Sequence, residues 1–245
     1  MQSAPHSDPV GFETLEIFSE APAINHWLFE KIIGLTRGEI LEIGSGIGNI
    51  SSFLLAERSL VYLSDLRQEY CQLLQKKFNN HPHLRGIYLL DLSLPDFGIR
   101  YSDLLEKFDT VIVLNVVEHI KDDQGAIVNA RSLLRAGGRL VVLVPAIPRL
   151  YNSLDRHLGH YRRYSKIQLR ELIERADLKF GGCRYFNAAA IPGWWFSGSL
   201  LKEEVVTPAK LKFFNRLVPL FKILDRLISP FTGISLIVSG IKNIN

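Results

Sequence analysis

Cysteine is almost missing: Cys71 and Cys183 are the only two in 245 residues. Two thiols so far apart in sequence support neither a disulfide framework nor a zinc cluster. That usage suits a cytoplasmic protein, and no bound metal is expected. A charged-then-apolar leader is missing from the opening "MQSAPHSDPVGFE", so export is not expected either. Long apolar runs are also lacking. "FNAAAIPGWWFSGSLL" and "GISLIVSGI" fall short of the roughly 20 apolar residues that cross a bilayer, and Pro192 and Gly193 interrupt the first. No membrane-spanning helix is expected, and association with a membrane surface stays open. The basic excess is small, a net charge of +4, and no stretch interleaves aromatics with basic residues as an RNA-binding surface would. A nucleic-acid partner is therefore disfavoured; an anionic small molecule or a lipid surface suits the charge as well.

What is present is a globular composition, 47% hydrophobic and 22% charged, in a chain that fits one domain with an elaboration. "FETLEIFSEAPAINHWLFEKIIGL" places Ile24, Trp27, Leu28 and Ile32 on one side of a helix, with Glu30 and Lys31 on the other. Strands are expected at "GEILEIG", "LVYLSD", "LRGIYLLDL", "FDTVIVLNV" and "RLVVLVPA", alternating with helices at "NISSFLLAERS", "QEYCQLLQKKF" and "QGAIVNARSLL". Asp122 and Asp123 are N-cap candidates for the last helix, and the glycines of "RAGG" are placed to end it. Strands as apolar as "TVIVL" suit a parallel sheet covered on both faces, so the fold class is doubly wound α/β. Past Pro145 the periodicity lapses into an excursion, until Ser165 caps a helix at "KIQLRELIERADL". Two more strands follow, "KFGGCRYFN" and a closing "GISLIVSGIKN". Between them residues 208–230 form a basic, apolar-faced helix that Pro219 should break or kink. It reads either as a cover for the sheet or as a peripheral membrane contact.

"EIGSGIGN", residues 42–49, joins the first strand to a helix. A dinucleotide loop needs glycines at first, third and sixth positions to seat a pyrophosphate. Gly44, Gly46 and Gly48 fit neither possible frame. The company of this loop is more informative. Glu42, Asp65 and Asp91 end three successive strands, at the edge where such sheets bind ligands. Three acids there repel phosphate and attract cations and donors, which points to a nucleoside carrying an amino group and a sulfonium but no phosphate.

With these motifs in order, the sequence resembles the class I S-adenosylmethionine-dependent methyltransferases. "LEIGSGIGN", "VYLSDL", "LLDL", "FDTVIVLNVVEHI" and "LLRAGGRLVVLVPA" are similar to their successive motifs. "APAINHWLFEKI" and "LDRHLGHYRRYS" look like a bacterial branch associated with glycan, lipid or natural-product pathways. The resemblance implies a Rossmann-like seven-stranded sheet with its last strand antiparallel and a helical acceptor-side insertion. It divides a single domain into an N-terminal helical lid (1–38), a cofactor core (39–146), an acceptor-side excursion with helices around a sheet strand (147–232) and a final strand (233–245). It implies S-adenosylmethionine as cofactor. Gly44 and Gly46 would border its methionine part, with Glu42 near the amino acid end. Asp65 and Leu66 would meet the ribose side, Asp91 and Leu92 the adenine, and Asn115 the methyl-bearing sulfur.

The acceptor side is less determined. His119 could serve as a base or merely pack against the next helix. His160 and Tyr161 lie in the excursion where an acceptor lid would fall, with Arg156, Arg162, Arg163 and Tyr164. The arginines either bind an anionic acceptor or pin the loop to acids such as Asp155. Trp194 could line an acceptor pocket, Trp27 could be core or lid, and Tyr88 reads as core. Glu118 reads as a structural or helix-capping acid. Enzymes that methylate base or glutamine nitrogens commonly carry an "NPPY"-like sequence where this chain has "NVVEH". The favoured expectation is methyl transfer to an oxygen of a small anionic or amphiphilic molecule. A macromolecular acceptor and a non-catalytic cofactor-binding module are the alternatives.

Overall fold

The computed structural model describes residues 9–58 and 60–244. Residues 1–8 of the expected lid, Ser59 at the end of an expected helix and Asn245 of the expected final strand lie outside the described residues. The N-terminal segment is two helices, α1 (Pro9–Ser19) and α2 (Pro22–Ile32). Pro22 explains the division, because its ring opposes continuation of α1 yet suits the first turn of α2. Strands and helices then alternate through β1 (Ile40–Ile43), α3 (Ser51–Glu57), β2 (Val61–Asp65), α4 (Gln68–Phe78), β3 (Leu84–Leu89), α5 (Phe97–Arg100), β4 (Phe108–Leu114), α6 (Asp123–Ser132) and β5 (Leu134–Pro145). The excursion holds a short helix α7 (Ser153–His157), followed by α8 (Lys166–Arg175), β6 (Leu178–Phe186), α9 (Ala190–Trp195), α10 (Pro208–Ile228) and β7 (Ser235–Lys242).

The seven strands form one sheet in the order β3-β2-β1-β4-β5-β7-β6. β7 runs antiparallel to both its neighbours while the β1–β2, β1–β4, β2–β3 and β4–β5 pairs are parallel, as expected. Alternate residues feed two cores. Leu41, Val111, Val113 and Val142 face Ala126, Ile127, Leu169 and Ile173 of α6 and α8. Ile40, Ile112 and Val141 face Trp27, Leu54, Leu74 and Val218 on the other side. Both faces are covered, which is why the strands read as apolar throughout. The chain departs from β1 toward β2 and β3, then crosses back to β4, so β1 and β4 flank the switch point where a doubly wound sheet opens a crevice at its carboxyl ends.

One open reading is decided and two expectations are corrected. Trp27 is core: it is 1% exposed and meets Phe186 edge-on at 4.8 Å between ring centres. α6 does not end on a left-handed glycine. Leu133 closes it in right-handed geometry and the chain enters β5 at once. Gly137, at φ +74°, instead serves an irregularity where the register jumps between Phe108–Leu134 and Thr110–Arg139. α10, finally, runs unbroken through Pro219.

Two other caps form as the sequence suggests. Asp122 accepts from the Gly125 N–H, and Ser165 with Gln168 makes a reciprocal capping box on α8.

Candidate active site

The glycine loop between β1 and α3 is built for shape. Gly44, Gly46 and Gly48 have φ of +75°, +54° and +80°, a region that side chains rarely enter. A Cβ on Gly44 would lie 2.3 Å from a Val116 methyl, and one on Gly46 would lie 2.8 Å from Leu15 Cδ1 of α1. Helix α1 thus rests on the loop, and the Asn49 amide donating to the Leu15 carbonyl at 3.0 Å holds it there. Sequence alone gave no sign of the Val116 or Leu15 contacts, which join segments distant along the chain.

Four amides of the loop are already occupied. The N–H groups of Gly44 and Ser45 both donate to the Ser64 carbonyl at 2.9 Å, that of Gly48 to the Ser45 carbonyl at 2.9 Å, and that of Gly46 to Asp65 Oδ2 at 2.9 Å. A phosphate cradle needs such groups pointing outward at the ligand. Here three of them tie the loop to the end of β2 and the fourth closes a turn within the loop.

The expected acids stand at the strand ends. Glu42, 3% exposed, accepts a hydrogen bond from the Ser51 hydroxyl. Burial pushes its carboxyl up to about 7, against the lowering effect of the Ser51 and Ser45 hydroxyls. Asp65, 4% exposed, accepts from Gly46 N–H through one oxygen and from Arg67 N–H through the other, at 3.0 Å. Burial raises it also, while those amides work in the opposite direction. Asp91 follows β3, where its Oδ1 accepts from the Ser93 amide at 2.8 Å and hydroxyl at 2.6 Å. Leu66 is half exposed beyond β2, and Leu92 is buried, its carbonyl accepting from the Asn129 side chain at 2.9 Å. Asn115 ends β4 in left-handed geometry, φ +52°, with an exposed side chain. Such a conformation is uncommon for a non-glycine residue and concentrates at functional sites. Val116 against Gly44 places it beside the glycine loop. Carboxylates beside a loop whose glycine amides are bound internally fit a cationic nucleoside without phosphates.

These features agree with the comparison to known families, in which residues 41–140 match the model of a methyltransferase domain. Residues 41–140 thus carry a methyltransferase domain, set on the Rossmann-like seven-stranded sheet of the class I S-adenosylmethionine-dependent fold. S-adenosylmethionine is accordingly its cofactor. Among curated proteins, the demethylmenaquinone methyltransferases of two Tropheryma whipplei strains, Twist and TW08/27, are each 26% identical over 145 residues, 58% of this chain. The match spans 56% of the length of those relatives. Among solved structures, a SAM-dependent methyltransferase from Archaeoglobus fulgidus superposes with a TM-score of 0.55 at 14% identity, over 89% of this chain and 94% of that one. The (4+2)-cyclase SpnF does so with 0.57 at 14% identity, over 99% and 100%. The fold of this methyltransferase domain is therefore shared with a protein whose name carries a different reaction, and the chemistry must be argued from the site.

On the acceptor side the excursion folds back onto the turn after β4, where the Tyr161 N–H donates to the Glu118 carbonyl at 2.8 Å. His119 is exposed and meets His160 edge-on at 4.7 Å between ring centres. Tyr161 and Arg156 are exposed as well. The other acceptor candidates are otherwise engaged. Arg163 is 4% exposed and donates through Nε to both Asp155 oxygens at 2.8 and 2.9 Å and through Nη1 to the Ala146 carbonyl at 3.0 Å. Trp194 lies beneath it, 4.8 Å from guanidinium to ring centre. Arg162 pairs with Asp123 at 2.7 Å, and Tyr164, 3% exposed, donates to the same carboxylate at 2.9 Å. Arg163 and Tyr164 are thus corrected from acceptor contacts to pins of the loop; a buried guanidinium needs its counter-charge inside the protein. Glu118 is also more than a helix-capping acid. It is fully buried, and burial pushes its carboxyl up to about 8, with Arg163 pulling it down and Asp155 pushing it up.

Proposed function

We propose that the protein transfers the methyl group of S-adenosylmethionine to an oxygen of a small anionic or amphiphilic acceptor. The observation that carries this reading is the set of strand-end acids Glu42, Asp65 and Asp91 around a glycine loop whose Gly44, Ser45, Gly46 and Gly48 amides are spent internally. An acceptor oxygen would attack the methyl carbon in line with the C–S bond. The bonding electrons leave with sulfur as a thioether, and a hydroxyl acceptor loses its proton. Positioning is the main requirement and can supply about 7–11 kcal/mol of barrier lowering. Asn115 at the switch point and the exposed His119, Tyr161 and Arg156 are the groups closest to this task. The demethylmenaquinone named for the relatives is one acceptor to include in a screen.

Calorimetric titration with S-adenosylhomocysteine, beside NADH as control, tests the cofactor half. Asp65→Ala is expected to weaken S-adenosylhomocysteine by about tenfold to hundredfold, the equivalent of about 1.5–3 kcal/mol for a charge-assisted hydrogen bond. Preference for NADH would reject the reading. Methyl uptake from labelled cofactor by acidic and amphiphilic acceptors tests the other half; tight cofactor binding with no uptake would favour the non-catalytic module.

The location we propose is cytoplasmic, with contact at a membrane surface. Among the described residues no helix is long and apolar enough to cross a membrane. α10 buries Leu211, Val218 and Asp225 but leaves Phe213, Leu220, Ile223 and Leu227 each more than half exposed. It therefore covers the sheet with one side and offers lipid the other, with Arg216 and Arg226 exposed on the same helix. Sedimentation with anionic vesicles is expected to carry the protein down. Phe213→Glu with Leu227→Glu should reduce that binding at least tenfold, since each buried large apolar side chain contributes about 1.5–3 kcal/mol. No sedimentation of the unaltered protein would remove the membrane contact.

A further inference from the structure

Glu118 poses a problem that the surrounding hydrogen bonds leave unsolved. Its side chain has no exposure, yet neither carboxylate oxygen has a hydrogen-bond partner among the described residues. Arg163 is committed to Asp155 and the Ala146 carbonyl. An enclosed carboxylate without donors is costly unless it is protonated or faces a cation.

The groups around it are metal-ligating ones. One ligand atom each from Glu118, His119 and His160 lie within 4.8 Å of one another. The three come from two separate segments, the turn after β4 and the excursion, which the Tyr161–Glu118 backbone bond clamps together. His160 is prepared for ligation. Its Nδ1 faces Asp155 Oδ1 at 2.8 Å, and a carboxylate can only accept there, so the proton sits on Nδ1 and the lone pair on Nε2. This carboxylate–imidazole arrangement is the usual support behind a metal-bound histidine. Asp155 is in turn fixed by Arg163. His119 lies on the exposed side, so a cation here would keep open positions toward the crevice.

We propose that Glu118, His119 and His160 form a binding site for a divalent transition-metal cation of the zinc, cobalt or manganese kind. Two imidazoles and one carboxylate are ligands such ions accept, with the remaining positions left for water or substrate. Bond lengths of about 2.0–2.2 Å would draw the three side chains together by small rotations. The role we assign it rests on the proposed methyl transfer: a cation three and four residues past Asn115 would hold the acceptor oxygen and release its proton to solvent. The oxygen is then ready for the methyl carbon, and His119 acts as a ligand rather than as a base.

The test uses the full chain, stripped with chelator and titrated with Zn²⁺, Co²⁺ and Mn²⁺ by calorimetry, with visible absorption of the Co²⁺ form as signature. One cation per chain is expected. Glu118→Gln and His119→Ala should each weaken binding at least tenfold while S-adenosylhomocysteine affinity stays within twofold. His119 is exposed, so its replacement keeps the test decisive should the Glu118 variant fail to fold. Absence of binding, or binding that survives the His119 replacement, overturns the site. A bound cation without methyl uptake by any acceptor leaves the site standing and removes the transfer reading; methyl uptake by a chain that binds no cation does the reverse.

Discussion

Asp155→Ala is expected to lower the unfolding free energy by about 3–5 kcal/mol, because it leaves a buried guanidinium without its counter-charge. Asp155 has no exposure and is approached by three donors. Arg163 Nε spans both oxygens, His160 Nδ1 lies at 2.8 Å, and the Asn152 N–H donates to Oδ2 at 3.1 Å to complete the capping box of α7. One carboxylate therefore organises most of the irregular excursion. Although burial alone would raise its carboxyl, hydrogen bonds from His160 and Arg163 hold it below the ordinary aspartate value. A depressed carboxylate contributes stability that is present above its unfolded pKa and lost as pH falls through its folded one. The cost of the substitution should accordingly shrink in acid. Urea unfolding at neutral pH measures it. Asp155→Ala with Arg163→Met should recover a large part of the loss, since an apolar replacement of a buried ion pair is often tolerated. A loss under about 1 kcal/mol, or a double variant no better than the single one, would show that Arg163 finds another partner.

The same network marks where sequence stops being informative. "TVIVL" and "RLVVLV" announce doubly covered strands because periodicity is a local property. The acids Glu42, Asp65 and Asp91 are legible because each follows its own strand directly. Arg156, Arg162 and Arg163, by contrast, look equivalent in "LDRHLGHYRRYS"; only the folded loop decides that Arg163 turns inward to Asp155 and Arg156 outward. Trp27 sits on a helical apolar stripe, as lid and core residues both would, and Phe186 settles the matter from far along the chain. Gly137 follows a helix closely enough to resemble its cap, and the strand irregularity that needs it depends on pairing with β4. Glu118 and His160 meet through an aperiodic segment, so nothing in their spacing reports the encounter.

Glu42→Gln should make the protein more stable and a poorer binder of its cofactor. In the folded chain burial holds the Glu42 carboxyl at about 7, whereas its ordinary value is 4.5. Between those limits the folded state keeps a proton that the unfolded chain releases, so stability declines as pH rises across this window. The decline amounts to about 3 kcal/mol at full ionisation, on the order of 1.4 kcal/mol per pH unit. Glutamine carries no charge to strand and can still accept from Ser51. The variant is therefore expected to match the parent near pH 4.5 and to exceed it by up to about 3 kcal/mol near pH 8. The cofactor reverses the balance, because its cationic ammonium and sulfonium groups favour the ionised acid. Binding should take up the free energy that ionisation costs, release a proton near neutral pH, and weaken at least tenfold when the carboxylate is replaced. Denaturant unfolding from pH 4.5 to 8 reads the first effect, and calorimetry in buffers of different ionisation enthalpy reads the second. Parallel stability profiles for parent and variant would mean that Glu42 is already ionised in the empty fold, and the crevice would then carry a standing negative charge rather than one summoned by its ligand.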